Sequence, residues 1–178
     1  MRNFRYAPAI YAVQLLQAAL VSIQVKFTLL SVRDCVHRRE LDWDAHLSDF
    51  QEVVSLTETL LASQPQRLCT SFESEILVPL LYSICKCRDG NVRRRVLKLL
   101  EDYRRREATW DSRYCVKLGY WLLDIEERRH RRLTSAEIPE DRRLRLFALD
   151  YDPIEGSMRT WAAQRTPDGT VVHSFSWN

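Results

Sequence analysis

Apolar residues recur at spacings of three and four through the N-terminal part of the chain, which is the periodicity of α-helices that bury one face. The first such segment predicts a helix over residues 8–32, and because it is apolar on most of its circumference we expect it to be buried among other helices. A polar stretch over residues 33–44 interrupts the pattern. A second helix is predicted over residues 46–62, and Pro65 favours a stop just beyond it.

A third helix is predicted to begin at the pattern Thr70-Ser-Phe-Glu73, which has the form of a capping box. In this motif the Thr hydroxyl and the Glu carboxylate each accept a hydrogen bond from a free backbone N–H. Pro79 falls inside this helix and predicts a kink.

Two more helices follow the turn-forming residues 88–91. The first covers residues 92–106 and is strongly amphipathic, with apolar residues on one side and arginines on the other. The second begins at Asp111 or Ser112, either of which can act as its N-cap, and ends in the charged segment 126–132.

The pattern changes after Pro139 to the alternation that is typical of β-strands. Leu144, Leu146 and Ala148 are predicted to share one face of the first strand. The sequence Thr-Pro-Asp-Gly-Thr at residues 166–170 combines a fixed proline φ with a permissive glycine, so it predicts a tight turn between two further strands.

These elements predict a mainly α fold, a multi-helix bundle of about five helices with a small C-terminal β-hairpin. Residues 1–139 are expected to form the helical body, and residues 140–178 the strands packed on it. A length of 178 residues suits one domain with a substantial core. With only four glycines in the chain, Gly-rich nucleotide-binding loops are not expected.

The chain is not expected to be an enzyme or to hold a metal or cofactor. Its five cysteines are an odd number without disulfide-like spacing, which is typical of a reduced intracellular protein. Cys85 and Cys87 could be half of a zinc site, but no second pair matches them, and i and i+2 side chains diverge on a helix. The four histidines lie in no recognisable catalytic motif, so no catalytic residue is assigned.

The segment over residues 86–106 carries nine basic and three acidic residues. Two interpretations stay open: a surface that contacts nucleic-acid phosphates, or a helix face engaged in ion pairs. No aromatic stacking platform interleaves the arginines, which favours ion pairing. The candidate interaction or ion-pairing face consists of Arg93, Arg94, Arg95, Arg105 and Arg106.

Acidic partners for these arginines are predicted both on the same helix and on the next one. Glu101 with Arg105, and Asp102 with Arg106, have the favourable i, i+4 order with the acid first. The glutamates at residues 126–127 are available from the fifth helix.

The apolar N-terminal segment also leaves a membrane-anchored or secreted protein as an alternative. Gln24 and Lys26 interrupt the segment before it reaches the roughly 20 apolar residues that a membrane span requires. We therefore expect a soluble helix and no membrane partner.

Five short motifs occur in order between residues 79 and 112. They are Pro79-Leu-Leu-Tyr82, Cys85-Lys-Cys-Arg-Asp89, Val92-Arg-Arg-Arg-Val96, Arg105-Arg-Glu107 and Trp110-Asp-Ser112. In order and spacing, the chain resembles the C-terminal regulatory region of fungal binuclear zinc-cluster transcription factors. That family has a Pro-Leu-Tyr helix, a Lys-Cys-Arg-Asp turn, an Arg-Arg-Arg helix, a Pro-Arg-Arg-Glu-Gly loop and a Trp-Asp-Ser helix start. The resemblance is best over residues 72–127.

The chain departs from this family pattern at three loop positions and in one larger respect. Gly90 stands where a proline is usual, Arg104 replaces the loop proline, and Ala108 replaces the loop glycine. The six-cysteine cluster that holds two zinc ions is missing, because five dispersed cysteines cannot form it.

The resemblance implies a non-enzymatic regulatory domain in the nucleus, or otherwise in the cytoplasm, that acts through protein partners or self-association. Without a zinc-cluster module, direct DNA binding is disfavoured. The alternative is a nucleic-acid-binding protein that uses the Arg-rich helix around residues 93–106. The sequence leaves open whether the chain is a short paralogue, a fragment or a decayed copy, and which genes it would regulate.

Overall fold

The computed structural model describes residues 7–63, 69–71, 75–127, 133–152 and 154–177. Within these ranges the fold is mainly α. Its helices are α1 (Ala7–Asp34), α2 (Leu47–Ala62), α3 (Leu77–Lys86), α4 (Gly90–Asp102) and α5 (Ser112–Glu127). Its strands are β1 (Cys69–Ser71), β2 (Arg105–Glu107), β3 (Trp110–Asp111), β4 (Leu144–Asp152), β5 (Ser157–Thr166) and β6 (Gly169–Trp177). Short 3₁₀ turns cover Glu40–His46, Ser135–Glu137 and Glu140–Arg142.

The core lies between α2, α3, α4 and α5, whose apolar faces meet as the periodicity predicts. Gly119 allows a close approach at its centre, because a Cβ there would lie 2.8 Å from a methyl carbon of Leu97. The expectation that α1 is buried all round is wrong. Of its side chains from position 14 onward, only Ile23 and Leu30 are fully buried.

The third helix begins at Leu77 and not at Thr70, which lies in strand β1. The proposed capping partner Glu73 lies outside the described residues. The carboxylate of Glu107, on strand β2, caps this helix instead. Pro79 is therefore the third residue of α3. The N–H groups of the first turn have no partner within a helix, so the missing N–H of proline costs no hydrogen bond there, and the predicted internal kink is not expected.

The fourth helix ends at Asp102, so residues 105–107 are a strand and not the last helical turn. Strand β2 lies between β1, which is parallel to it, and β3, which is antiparallel. The prediction that Glu101 pairs with Arg105 and Asp102 with Arg106 across one helical turn is therefore wrong. In each pair the acid lies in α4 and the arginine lies in strand β2, beyond the end of the helix. At its start, α4 is capped by Asp89, whose carboxylate accepts two backbone N–H groups at 3.0 Å.

The C-terminal hairpin is part of a three-stranded antiparallel sheet in the order β4-β5-β6. The turn at residues 166–169 joins β5 and β6 as predicted. A register shift between Leu146 and Ala148 separates these two residues onto different faces, contrary to the simple alternation. The sheet adds Leu144, Met158 and Ala162 to the helical core.

Candidate functional site

Arg93 lies on the inward face of α4, where it is completely buried. Its Nε donates to the carbonyl oxygens of Ile84 at 3.0 Å and Cys87 at 2.6 Å, both at the end of α3. Its Nη2 donates to the carboxylate of Glu126 on α5. One guanidinium therefore joins three helices, which is a use of arginine that the planar arrangement of its five donors allows.

Glu126 is the centre of a buried ion-pair network. In addition to Arg93, its carboxylate accepts hydrogen bonds from Arg88 Nη2 at 3.0 Å and from the backbone N–H of Leu144 at 2.6 Å. Arg88 also donates to Glu40 at 2.9 Å and to the carbonyl of Leu144 at 2.7 Å. The network thus connects α5, the turn before α4, the 3₁₀ turn after α1, and strand β4.

The charges in this network are mutually stabilised in spite of their burial. Burial alone would raise the pKa of Glu126, but the positive charges of Arg88 and Arg93, together with the hydrogen bonds from Leu144 and Arg93, outweigh that effect, and the pKa lies below its usual value. The carboxylate is therefore ionised at neutral pH. Removing Glu126 would take away the buried counter-charge that Arg88 and Arg93 share.

Arg94 and Arg95 are partly exposed but also engaged. Arg94 donates to the carboxylate of Glu127 at 2.6 Å, and Arg95 binds Glu58 of α2 through two hydrogen bonds of 2.9 and 2.6 Å. The glutamates at residues 126–127 are thus partners of the Arg93 and Arg94 side chains.

Arg105 and Arg106 point to opposite sides of strand β2, one buried and one exposed. Arg105 binds Glu107 at 3.0 Å and Glu75 at 2.7 Å. Glu107 is itself completely buried and caps α3, because one of its oxygens accepts the backbone N–H groups of Glu75, Ile76 and Leu77 at 2.8 to 2.9 Å. The five arginines therefore do not form one continuous outward face.

Sequence periodicity does not identify Arg143, which is another fully buried arginine. It binds Asp44 through two hydrogen bonds of 2.7 and 2.8 Å and also donates to three backbone carbonyls. Asp44 lies far from it along the chain, in the polar segment between α1 and α2. The only sequence signal is the abundance of arginine over lysine, which favours multidentate pairing without identifying the partners.

Cys85 and Cys87 are both buried, and burial raises the pKa of Cys85 to about 12 and of Cys87 to about 11. Such thiols stay protonated at neutral pH when no metal is bound. In the part of the chain that the structure describes, no group of three His, Cys, Asp or Glu side chains is arranged to hold a metal ion.

A pair of histidines lies where α1 meets α2. Nε2 of His37 is 3.0 Å from Nε2 of His46, and Nδ1 of His46 is 3.1 Å from Arg33 Nη1. Burial and the charges of Arg33 and His37 lower the pKa of His46. A neutral His46 imidazole can accept the hydrogen bond from Arg33, so the lowered pKa agrees with this contact.

An exposed apolar surface runs along α1. We call this surface the α1 stripe; its apolar members Leu15, Val21, Val25, Leu29 and Val32 are each at least 53% exposed. By length and composition the segment Gln14–Asp34 could cross a membrane, a test that buried core helices and signal sequences also pass. The stripe is a surface that soluble monomers rarely leave open to water.

Comparison with known proteins adds no assignment, since no family model, curated protein or solved structure matches this chain.

Proposed function

We propose that the chain is a non-enzymatic regulatory domain that acts through protein contacts, of the type found in the effector region of fungal zinc-cluster regulators. In this proposal it works in the nucleus and has no DNA-reading module of its own. The α1 stripe carries the proposal. An apolar helix face of this extent is typical of a protein-interaction surface.

Ala108 supports the resemblance to that family. It has φ 50°, and it is the non-glycine residue with positive φ in the described part of the chain. The family pattern has glycine at this position, and glycine adopts the left-handed conformation without steric cost. The backbone of this loop therefore has the shape that the family's residue would fit best.

Gly90 is a departure from the family pattern that has a local reason in this chain. Its N–H donates a 2.9 Å hydrogen bond to the carbonyl oxygen of Leu133. A Cβ at this position would lie only 2.7 Å from the same oxygen. Proline lacks the N–H and carries a Cβ, so it would not fit against Leu133.

The burial of Arg93 and Arg105 counts against the nucleic-acid alternative. Both guanidinium groups are inside the protein and bind glutamates, so neither can reach a phosphate. Arg94 and Arg95 are accessible, but each is paired with a carboxylate that a phosphate would have to displace.

The test is to fuse the full chain to an unrelated DNA-binding domain and to measure transcription from a reporter gene in fungal nuclei. We expect the fusion to change reporter output several-fold. The double variant Val25→Glu, Leu29→Glu should abolish the effect, because it places charges on the α1 stripe. The control is Ile154→Glu, which adds one charge of the same sign at an exposed apolar residue in the turn between β4 and β5.

A folded nuclear fusion that leaves the reporter unchanged would contradict the proposal. Binding of the chain to duplex DNA, measured against salt concentration, separates the alternative. Tight binding at physiological salt that is lost in Arg94→Ala, Arg95→Ala would favour nucleic-acid recognition.

A further inference from the structure

The exposed face of α1 has the spacing of a coiled-coil seam. Counting from Leu15, positions alternate by three and four residues, which is the a and d pattern of a heptad. The six positions are Leu15, Ala18, Ser22, Val25, Leu29 and Val32. All are exposed except Ser22, which is partly exposed. A seam of this period fits another helix better than it fits a flat surface.

We infer that the α1 stripe pairs with the same stripe of a second copy of this chain, antiparallel and related by a two-fold axis. In an antiparallel pair each a position meets a d position of the other helix. Leu15 then meets Val32 of the second copy, Ala18 meets Leu29, and Ser22 meets Val25. In the pairs Ala18–Leu29 and Ser22–Val25 a small side chain meets a larger one, which is the complementarity that close packing requires.

A parallel pair of the same helices would pack poorly. It places Ser22 against Ser22 and Ala18 against Ala18, so one layer buries two hydroxyls and another leaves a gap. It also places Leu29 against Leu29, at the position where the antiparallel pair has Leu against Ala. The order of side-chain sizes along the six seam positions therefore selects the antiparallel arrangement.

The charges around the seam do not oppose a second copy as the occupant. The six seam positions are uncharged, so they neither require nor attract a charged partner. The basic residues beside the seam are already neutralised within the chain. Lys26 binds Glu52 at 2.6 Å, and Arg33 binds Asp49 at 2.7 Å. In the antiparallel register Lys26 faces Ala19 of the other chain, so two lysines do not meet.

A lipid surface fits the α1 stripe less well. Helices that lie in a membrane interface combine Trp or Phe with basic residues at the edge of the apolar face, whereas the seam has no aromatic residue. Nor could α1 leave the body to span a bilayer without removing Ile23 and Leu30 from the core and breaking its ion pairs with α2.

The size of the contact predicts reversible association. The seam from Leu15 to Val32 is about 27 Å long at 1.5 Å per residue. One helix pair of this length buries less than the ~1,200 Å² of a standard stable interface. We therefore expect a dimer that dissociates at micromolar concentrations. This inference rests on the proposed function, because it names a partner for the same surface.

Sedimentation equilibrium of the full chain, from about 1 to about 200 µM, tests the inference. The wild type should form dimers in a concentration-dependent way. Ser22→Glu and Val25→Lys, each alone, should weaken association at least tenfold. The double variant should recover it, because in the antiparallel pair each new carboxylate faces the new ammonium of the other chain. Ile154→Glu is the control for added charge, and far-UV circular dichroism checks that all variants are folded.

Three results would overturn the inference. A wild-type chain that stays monomeric throughout this range would do so, as would a double variant that associates no better than the single ones. The third is flotation of the wild type with phosphatidylcholine–phosphatidylserine vesicles while it remains monomeric in solution. A monomeric chain that still changes the reporter would refute the dimer and leave the proposed function. A dimeric chain without any reporter effect would do the reverse.

Discussion

Substitution of Glu126 probes whether the buried ion pairs hold this fold together. The carboxylate is fully buried and accepts hydrogen bonds from Arg88, Arg93 and the backbone of Leu144. Glu126→Gln preserves the size of the side chain but removes its charge. The substitution leaves two guanidinium groups inside the protein without their shared counter-charge, although Arg88 keeps Glu40 at 2.9 Å and Arg93 keeps Glu127 at 3.7 Å.

The expected cost is large because both arginines stay buried in the variant. Removing one partner of a buried ion pair typically destabilises a protein by about 3–5 kcal/mol. The corresponding figure for an exposed pair is about 0.2–1 kcal/mol. Arg95 with Glu58 is such a pair, since both side chains are more than one-third exposed. Glu58→Gln is therefore the matched control, with the same chemical change and the same helix, α4, supplying the arginine.

Urea unfolding followed by far-UV circular dichroism and tryptophan fluorescence measures the difference. With a slope of about 2 kcal/mol per molar urea, Glu126→Gln should lower the midpoint by roughly 1.5–2.5 M, and Glu58→Gln by less than about 0.5 M. Failure of Glu126→Gln to fold would be the extreme form of the same result. Equal midpoints for the two variants would show that the network does not stabilise the fold as argued.

Three further substitutions test other parts of the structure. Leu100→Ala should cost about 2–5 kcal/mol in chemical denaturation, because Leu100 is buried in the core, and an unchanged midpoint would remove α4 from it. Ala108→Gly should raise the unfolding free energy by about 1 kcal/mol by relieving the positive φ; a loss of stability would contradict the strain. His46 has a lowered pKa in the folded chain, so stability should be intact above about pH 6.5 and decline as the pH falls below it. In His46→Gln the midpoint of unfolding should depend less on pH over that range than it does in the wild type. If the two proteins show the same dependence of the midpoint on pH, His46 is not the cause of the loss of stability.

Local periodicity in the sequence was enough to predict five helices, a C-terminal β-region and the turn between its last two strands. Leu99 and Leu100 are core residues of α4, as the 3.6-residue pattern indicates. These features depend on neighbours three or four residues apart, or on a turn whose residues are adjacent. Sequence could therefore specify them before any tertiary contact was known.

Only the tertiary structure decides which arginines are buried and which carboxylate each one binds. Arg93, Arg94 and Arg95 are adjacent, yet one is buried with Glu126, one binds Glu127, and one binds Glu58 on another helix. Hydrophobic patterning assigns all three arginines to the polar side of α4. It cannot show that one guanidinium is buried because a carboxylate distant in sequence, that of Glu126, lies beside it.

Helix ends that depend on distant groups were missed for the same reason. The cap of α3 comes from Glu107, about thirty residues further along the chain, and the strand that carries Glu107 is only three residues long. The burial of α1 was predicted wrongly because composition measures how apolar a helix is, whereas its environment depends on how many neighbours the fold supplies. One face of α1 packs on α2 and α3, and much of the other face is exposed.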